Sequence, residues 1–464
     1  VGPKYERPQA PTPPAYSPGS WKPAEPRETA ARGPWWEIFG DPALNVLEDQ
    51  VDASNQNLKA ARAQFMQARA LLGQARSAYF PTVSATASAT RLRNSANSYP
   101  PSPSNGVTYN DFLLAGDLSY ELDAWGRVRR TVESSRAAAQ ASAADLASVN
   151  LSLHAELAQD YLEVRGLDAE EAILNSSVSA YAEALELTQA RFKGGVASGV
   201  DVEQAETQLE TTRAQMIDLG VERAQLEHAV AVLVGQPPSG FRIPPTPLTS
   251  DPPTIPVGLP SDLLERRPDV AAAERRMAAA NAQIGVAKAA YFPVISLTGA
   301  GGFQSGKLAN WLSAPSALWS AGLAAVGTLF DGGKRRALGE QARAAYDESV
   351  ADYRETVLSG IEDVEDNLSA LDILANEAHV QDAAVAAAGR SLALSQNRYK
   401  GGIAAYLEVT TAQTADLVNE RAAVQIRTRR FVSTVLLVKA LGGGWSASQI
   451  PEEPLRESVA PTRP

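Results

Sequence analysis

The chain has 464 residues, no cysteine and a formal charge of −11, from 42 basic and 53 acidic side chains. Without thiols there is no disulfide framework and no cysteine chemistry, and His154, His228 and His379 lie too far apart for the usual zinc-ligand spacings, so neither a metal nor a cofactor is expected. The acidic balance argues against a nucleic-acid partner, and no motif joins a nucleophile, a base and an orienting group, so an enzyme is not expected.

Residues 1–34 are rich in proline and read as an extended arm, with 1–54 forming the arm and a lead-in segment. The chain starts at Val1 without an initiator Met or a signal peptide, as a processed form would. A helix is predicted over 55–78. Next, Thr82, Ser84, Thr86, Ser88 and Thr90 alternate with Val83, Ala85, Ala87 and Ala89, a period of two that marks a strand with one polar and one apolar face. Beyond a Pro/Ser/Asn-rich loop, Phe112, Leu114, Leu118, Tyr120 and Leu122 alternate with Asp117, Ser119, Glu121 and Asp123, completing a hairpin over about 80–123.

From 131 to 192 no proline interrupts an alanine-rich run, which as helix spans ~93 Å. Leu174, Val178, Tyr181, Leu185 and Phe192 follow coiled-coil spacing, with Thr188 at the missing step. A turn at about 193–197 holds Gly194 and Gly195, a shorter helix follows over 198–235, and residues 236–262 form a proline-rich linker. The same order then recurs within 263–441: a helix over 269–290, a hairpin at about 292–331, a long helix over 335–398, a turn at about 400–404 and a helix over 405–441. In that hairpin Ile295, Leu297 and Phe303 alternate with Ser296 and Thr298, and Trp319, Ala321, Leu323 and Leu329 with Ser320 and Thr328. Residues 442–464 are a tail.

The recurrence is a tandem duplication. AYFP at Ala78–Pro81 returns at Ala290–Pro293, LDAWGRVRR from Leu122 returns as FDGGKRR from Phe330, and RFKGGVAS from Arg191 returns as RYKGGIAA from Arg398, so order and spacing are both kept. A soluble hairpin with one wet face would show the same alternation as these strands. Barrel arithmetic separates the two readings: four tilted strands enclose a backbone diameter of only ~8 Å, whereas three chains supply twelve strands and ~24 Å. No run of apolar residues is long enough for a spanning helix, but a spanning strand needs only ~9–11 residues.

The segment LPSDLLERRPDVAAAERRMAAANAQIGVAKAAYFPVISLTG (Leu259–Gly299) resembles the signature of TolC-type outer-membrane efflux proteins of the lipoprotein (NodT-like) branch. VGPKYERP at Val1–Pro8, WWEIFGDPALNVL at Trp35–Leu47 and both KGG turns strengthen it, and the likeness covers nearly the whole chain. The resemblance implies a mixed α and β fold: a homotrimeric, twelve-stranded outer-membrane barrel, four strands per chain, continued by a long periplasmic α-helical barrel. It also implies passive conduction in a tripartite efflux system, with a periplasmic adaptor (membrane fusion) protein and an inner-membrane pump of the RND type as partners. It implies, too, that outer-membrane lipid surrounds the barrel and that an acylated cysteine, absent from the numbered sequence, precedes the GPKY motif.

By the same resemblance the tips, Gly194, Gly195, Val196 and Ala197 with Gly401, Gly402, Ile403 and Ala404, contact the adaptor. Paired glycines there permit the positive backbone angles that end one helix and start the next. The family commonly shows Tyr-Leu-x-x-x-Asp just beyond the second tip, the leucine and aspartate closing the tunnel. Here Tyr406 and Leu407 match and Thr411 replaces the aspartate, which leaves Glu408, three residues earlier, as the acidic candidate for the periplasmic gate. Competing readings are the outer-membrane duct of a type I protein secretion system and a soluble coiled-coil scaffold.

Overall fold

The computed structural model describes residues 1–9, 12–13, 34–97, 99–100, 103, 105–255 and 263–451. Expectations for the rest of the arm, the end of the linker and most of the tail lie outside them. After a short turn of 3-10 helix at Trp35–Phe39 come α1 (Pro42–Ser54), α2 (Gln56–Ser77), β1 (Thr82–Arg93), β2 (Thr108–Leu122), α3 (Arg127–Lys193) and α4 (Gly199–Leu233). The second half follows with the one-turn α5 (Leu263–Arg266), then α6 (Pro268–Ala289), β3 (Val294–Ser305), β4 (Ala317–Val326), α7 (Lys334–Lys400) and α8 (Tyr406–Ala440). The lead-in segment thus contains a helix, α1, started by Pro42 and capped by Asp41, whose carboxylate accepts from the Ala43 amide at 2.8 Å.

The strands form one antiparallel meander in the order β1-β2-β3-β4. Its register carries each face across the sheet. On one side Ala87 pairs with Leu114 and Leu114 with Phe303, while Tyr120 pairs with Leu297 and Leu297 with Leu323. On the other, Ser84 pairs with Asp117, Glu121 with Ser296 and Ala300 with Ser320. A slip of one residue at any ladder would mix the faces, so the alternation in the sequence fixes the register. β1 and β4 are open edges, and their exposed N–H and C=O groups cannot remain unpaired inside a membrane.

Two 67-residue helices, α3 and α7, each about 100 Å long, dominate the rest. The shorter helices stack end to end beside them. At the first splice Asn55 caps α2 through the Leu58 amide (2.9 Å) and donates to the carbonyl of Leu233, the last residue of α4, at 2.8 Å. Arg267 does the equivalent at the second splice: Nη1 donates to the carbonyl of Ala440, which ends α8, at 3.2 Å and to Asp363 at 2.9 Å, while Nη2 binds Asp269 at 2.7 Å. Gly235 and Gly442, at φ +70° and +91°, let the chain leave these junctions, where a Cβ would strike the carbonyls of Ser54 and Arg266. The repeat therefore duplicates a splice as well as elements.

The main core is a belt around the middle of α3. Trp35, Trp36, Leu44 and Val51 pack on Leu157 and Tyr161, with Val230 of α4 and Phe431 of α8 closing it. The linker is tied to this belt: Asp168 accepts from the Thr246 amide at 2.8 Å and from Arg223 at 2.7 Å, and Arg165 donates to the Pro244 carbonyl at 2.6 Å. Even so, the chain exposes 26495 Å², whereas a compact monomer of 49.1 kDa would expose roughly 17,000 Å². The two long helices and the single-layer sheet account for the excess.

One buried pair joins α1 to α3. His154 Nδ1 lies 2.6 Å from Glu48 Oε2, its ring stacks on Trp36 at 4.4 Å, and Nε2 faces Asn150 at 3.2 Å and Asp52 at 3.6 Å. Burial pushes the Glu48 carboxyl up to about 7; His154 opposes the rise and Asp52 and Asp49 add to it. Between its unfolded value and about 7, the folded protein holds a proton on Glu48 that the unfolded chain has lost, so stability falls as pH rises through this window. Thermal melts followed by circular dichroism should show that fall, and Glu48→Gln should flatten it; an equal slope in the variant would assign the pH dependence elsewhere.

Candidate functional site

At the far end of the long helices the two tips are built alike. The amides of Gly195 and Gly402 donate to the carbonyls of Phe192 and Tyr399, and those of Val196 and Ile403 to Arg191 and Arg398, all at 2.9 Å. Only the second glycine of each pair uses a left-handed angle: Gly195 and Gly402 are both at φ +74°, while Gly194 and Gly401 lie at −80° and −76°. The expectation of positive angles thus holds for one glycine in each turn, because one left-handed residue suffices to close this type of cap. Val196 and Ile403 stand out into solvent, 70% and 75% exposed, and Ala197 and Ala404 are half-buried behind them.

The helices that leave the tips start differently. α4 has a capping box, Ser198 and Asp201 each bonding the other's amide at 3.2 and 3.0 Å, whereas α8 starts after Ala405 with no side-chain cap. α8 is held instead by aromatic contacts. The Tyr406 ring meets Tyr399 edge-on at 5.2 Å, and Arg191 of α3 lies 4.5 Å over Tyr399 while Nη1 donates to its carbonyl at 2.7 Å. The Tyr399 hydroxyl donates to Thr188 at 3.4 Å, which explains a threonine within the apolar stripe; Leu174, Tyr181 and Thr188 are buried, but Phe192, at the end of that stripe, is half exposed.

Leu407 and Thr411 share one exposed stripe of α8 with Thr414 and Val418, and the Thr411 hydroxyl donates to the Leu407 carbonyl at 2.8 Å. Glu408 is turned aside toward α7, where its carboxylate meets Arg398 Nε at 3.3 Å. Leu407 and Thr410 instead line an open groove of about 570 Å³ with Val200, Gln204 and Gln208 of α4. Val200 stands in the first repeat where Leu407 stands in the second, so the duplication brings two equivalent apolar side chains to one groove. Val200 belongs to no motif of its own, and only the spacing of the two KGG turns identifies it.

Residues 47–236 and 259–443 match a family described as "Outer membrane efflux protein". The pyoverdine export outer membrane protein OpmQ of Pseudomonas aeruginosa is 32% identical over 89% of this chain and 88% of its own length. The toluene efflux pump outer membrane protein TtgC of Pseudomonas putida is also 32% identical, over 96% of this chain and 92% of its own. Among solved structures, the outer-membrane channel OprN superposes with a TM-score of 0.90 at 32% identity, covering 96% of this chain and 99% of that one. CusC superposes at 0.85 with 25% identity, over 95% and 99%.

Proposed function

Because this chain belongs to the outer membrane efflux protein family, we propose that three copies close one barrel and one helical tunnel through which solutes leave the periplasm. The protein is an outer-membrane efflux channel, and conduction through it is passive. The observation that carries this reading is a four-stranded sheet with one polar and one apolar face in continuous register and with both edges open. Lipid covers the apolar face and water fills the inside, where Asp111 and Asp117 favour cations. Spin labels at Leu114 or Leu297 should report lipid and labels at Ser84 or Ser296 water; the reverse, or water at all four, would refute it.

Energy comes from partners: a periplasmic adaptor, seated on Val196 and Ile403, and an inner-membrane pump of the RND type. Relatives named for efflux pumps favour solute export over type I protein secretion. The gate is the apolar ring of Leu407 with Val200 behind it and Thr411 one turn away, and Glu408 is paired with Arg398 beside it. The likeness of VGPKYERP to the lipoprotein branch supports an acylated cysteine ahead of the GPKY motif in the native protein. The mass of the native N-terminal peptide decides that point.

A further inference from the structure

The strands meet the long helices in a zone whose charge opposes that of the protein. Arg76 and Lys288 lie at the ends of α2 and α6; Arg127, Arg129 and Arg130 open α3, and Lys334, Arg335 and Arg336 open α7. The acids at this level are Glu121, Asp123, Glu133, Asp331 and Glu340, five against these eight cations, in a chain that elsewhere is strongly acidic. The first turn of a helix carries positive partial charge, so three cations there are unfavourable for the helix itself. The free amides at both starts are already taken by the carboxylates of Asp123 (Val128 at 2.8 Å and Arg129 at 2.9 Å) and Asp331 (Gly333 at 3.1 Å and Arg335 at 3.2 Å). The arrangement recurs in both halves of the chain.

Next to the cations, on the barrel side, lies a band of exposed apolar and aromatic side chains. Leu329 and Phe330 are 98% and 89% exposed, Phe80 71%, and Trp125 stacks on Phe292 at 4.7 Å. Tyr291, half exposed, bridges the two layers: the Arg335 guanidinium lies 5.4 Å over its ring. An aromatic band followed by a polar layer is how a spanning protein meets the membrane–water interface, and the polar layer is at headgroup depth. Several of the cations are committed within the chain, as in Arg127 with Glu121 and Arg335 with Asp331. Arg129 and Arg336 also pair within the chain, with Asp123 at 3.1 Å and Glu340 at 2.8 Å, yet their side chains stay 65% and 82% exposed, where an ion pair contributes little and a phosphate can compete for the guanidinium; the exposed Lys334 side chain makes no ion pair among the described residues.

We propose that this basic collar binds the phosphodiester headgroups of anionic glycerophospholipids in the leaflet that faces the helical barrel. The inference rests on the barrel reading above and adds to it a lipid class and the residues that select it. Arg129, Lys334 and Arg336 supply the attraction, while Tyr291, Leu329 and Phe330 hold the glycerol and upper acyl region. Around a trimer the collar recurs three times and fixes the height of the barrel in the bilayer.

The test uses the full-length protein in vesicles of phosphatidylethanolamine, alone or with about one-fifth phosphatidylglycerol, followed by gentle extraction and mass spectrometry of retained lipid. Wild type should retain phosphatidylglycerol above its bulk share, the ratio of phosphatidylglycerol to phosphatidylethanolamine rising at least about fivefold over that of the vesicle, as one engaged cation at ~1 kcal/mol would give. The triple variant Arg129→Gln, Lys334→Gln, Arg336→Gln should insert equally well into neutral vesicles yet lose the enrichment, and inorganic phosphate should not compete. Retention at bulk ratio by wild type, or undiminished enrichment in the triple variant, would overturn the proposal while leaving the channel intact. Failure of wild type to insert into either vesicle would remove the barrel, and the collar with it.

Discussion

Leu114→Arg is expected to eliminate assembled trimer from the membrane, while Ser88→Arg, at the same level of the sheet, leaves assembly nearly unchanged. Leu114 sits midway along β2 and pairs with Ala87 and Phe303 on the apolar face; Ser88 pairs with Leu113 on the other. An arginine on the lipid face at mid-membrane depth costs ~2–4 kcal/mol, and three copies in one barrel bring the cost to ~6–12 kcal/mol. That is comparable with the whole stability of a typical domain, ~5–15 kcal/mol. In the lumen the same side chain stays hydrated and alters only ion preference. Semi-native gels of membrane extracts should show this contrast; equal loss in both variants would mean that the faces are misassigned.

The second large effect is expected at the tips. Arg191 ties α3 to α7 through a charge-assisted bond to the Tyr399 carbonyl and a cation–π contact with its ring. Together these contribute ~2–4 kcal/mol when they are shielded from solvent. If opening separates the α7–α8 pair from α3, Arg191→Ala shifts the closed–open balance of each protomer by roughly thirtyfold or more, since ~1.4 kcal/mol is a factor of ten. α8, without a side-chain cap at its start, is the helix freed. Single-channel recordings in planar bilayers should show a large rise in open probability for Arg191→Ala and a smaller one for Arg191→Lys, which keeps charge but not the planar stack. Leu407→Ala should instead enlarge the conductance of each opening. Wild-type gating in Arg191→Ala, with Leu407→Ala altered as described, would place the restraint at another contact.

Features with a short period could be read from residues alone. Alternation from Thr82 to Thr90 and from Phe112 to Leu122 assigns strand faces because the pleat has a period of two, and the absence of proline from 131 to 192 permits a helix of one piece. What escaped the sequence reading depends on partners far apart in the chain. Asn55 and Arg267 look like ordinary polar residues until α4 and α8 end against them. Glu48 and His154, 106 positions apart, carry no spacing signal, and only packing under Trp36 joins them. At the gate, helix periodicity gives the face of α8 that carries Glu408 but not the presence of Arg398 across the turn. Arg191 was visible only as the first letter of a repeated motif.

Three-chain closure is the claim on which the channel, the gate and the collar all depend, and the lack of cysteine in the sequence provides a clean background for testing it. Single cysteines at Ala85 or Ala87 of β1, combined in turn with Ala321 or Ala325 of β4, place one thiol at each open edge on the lipid-facing side. Oxidation of the assembled protein in membranes should link β4 of one chain to β1 of the next for at least one combination. The account predicts a denaturing-gel ladder that stops at three times 49.1 kDa. Monomer alone for every combination, or a ladder continuing beyond three chains, would contradict it.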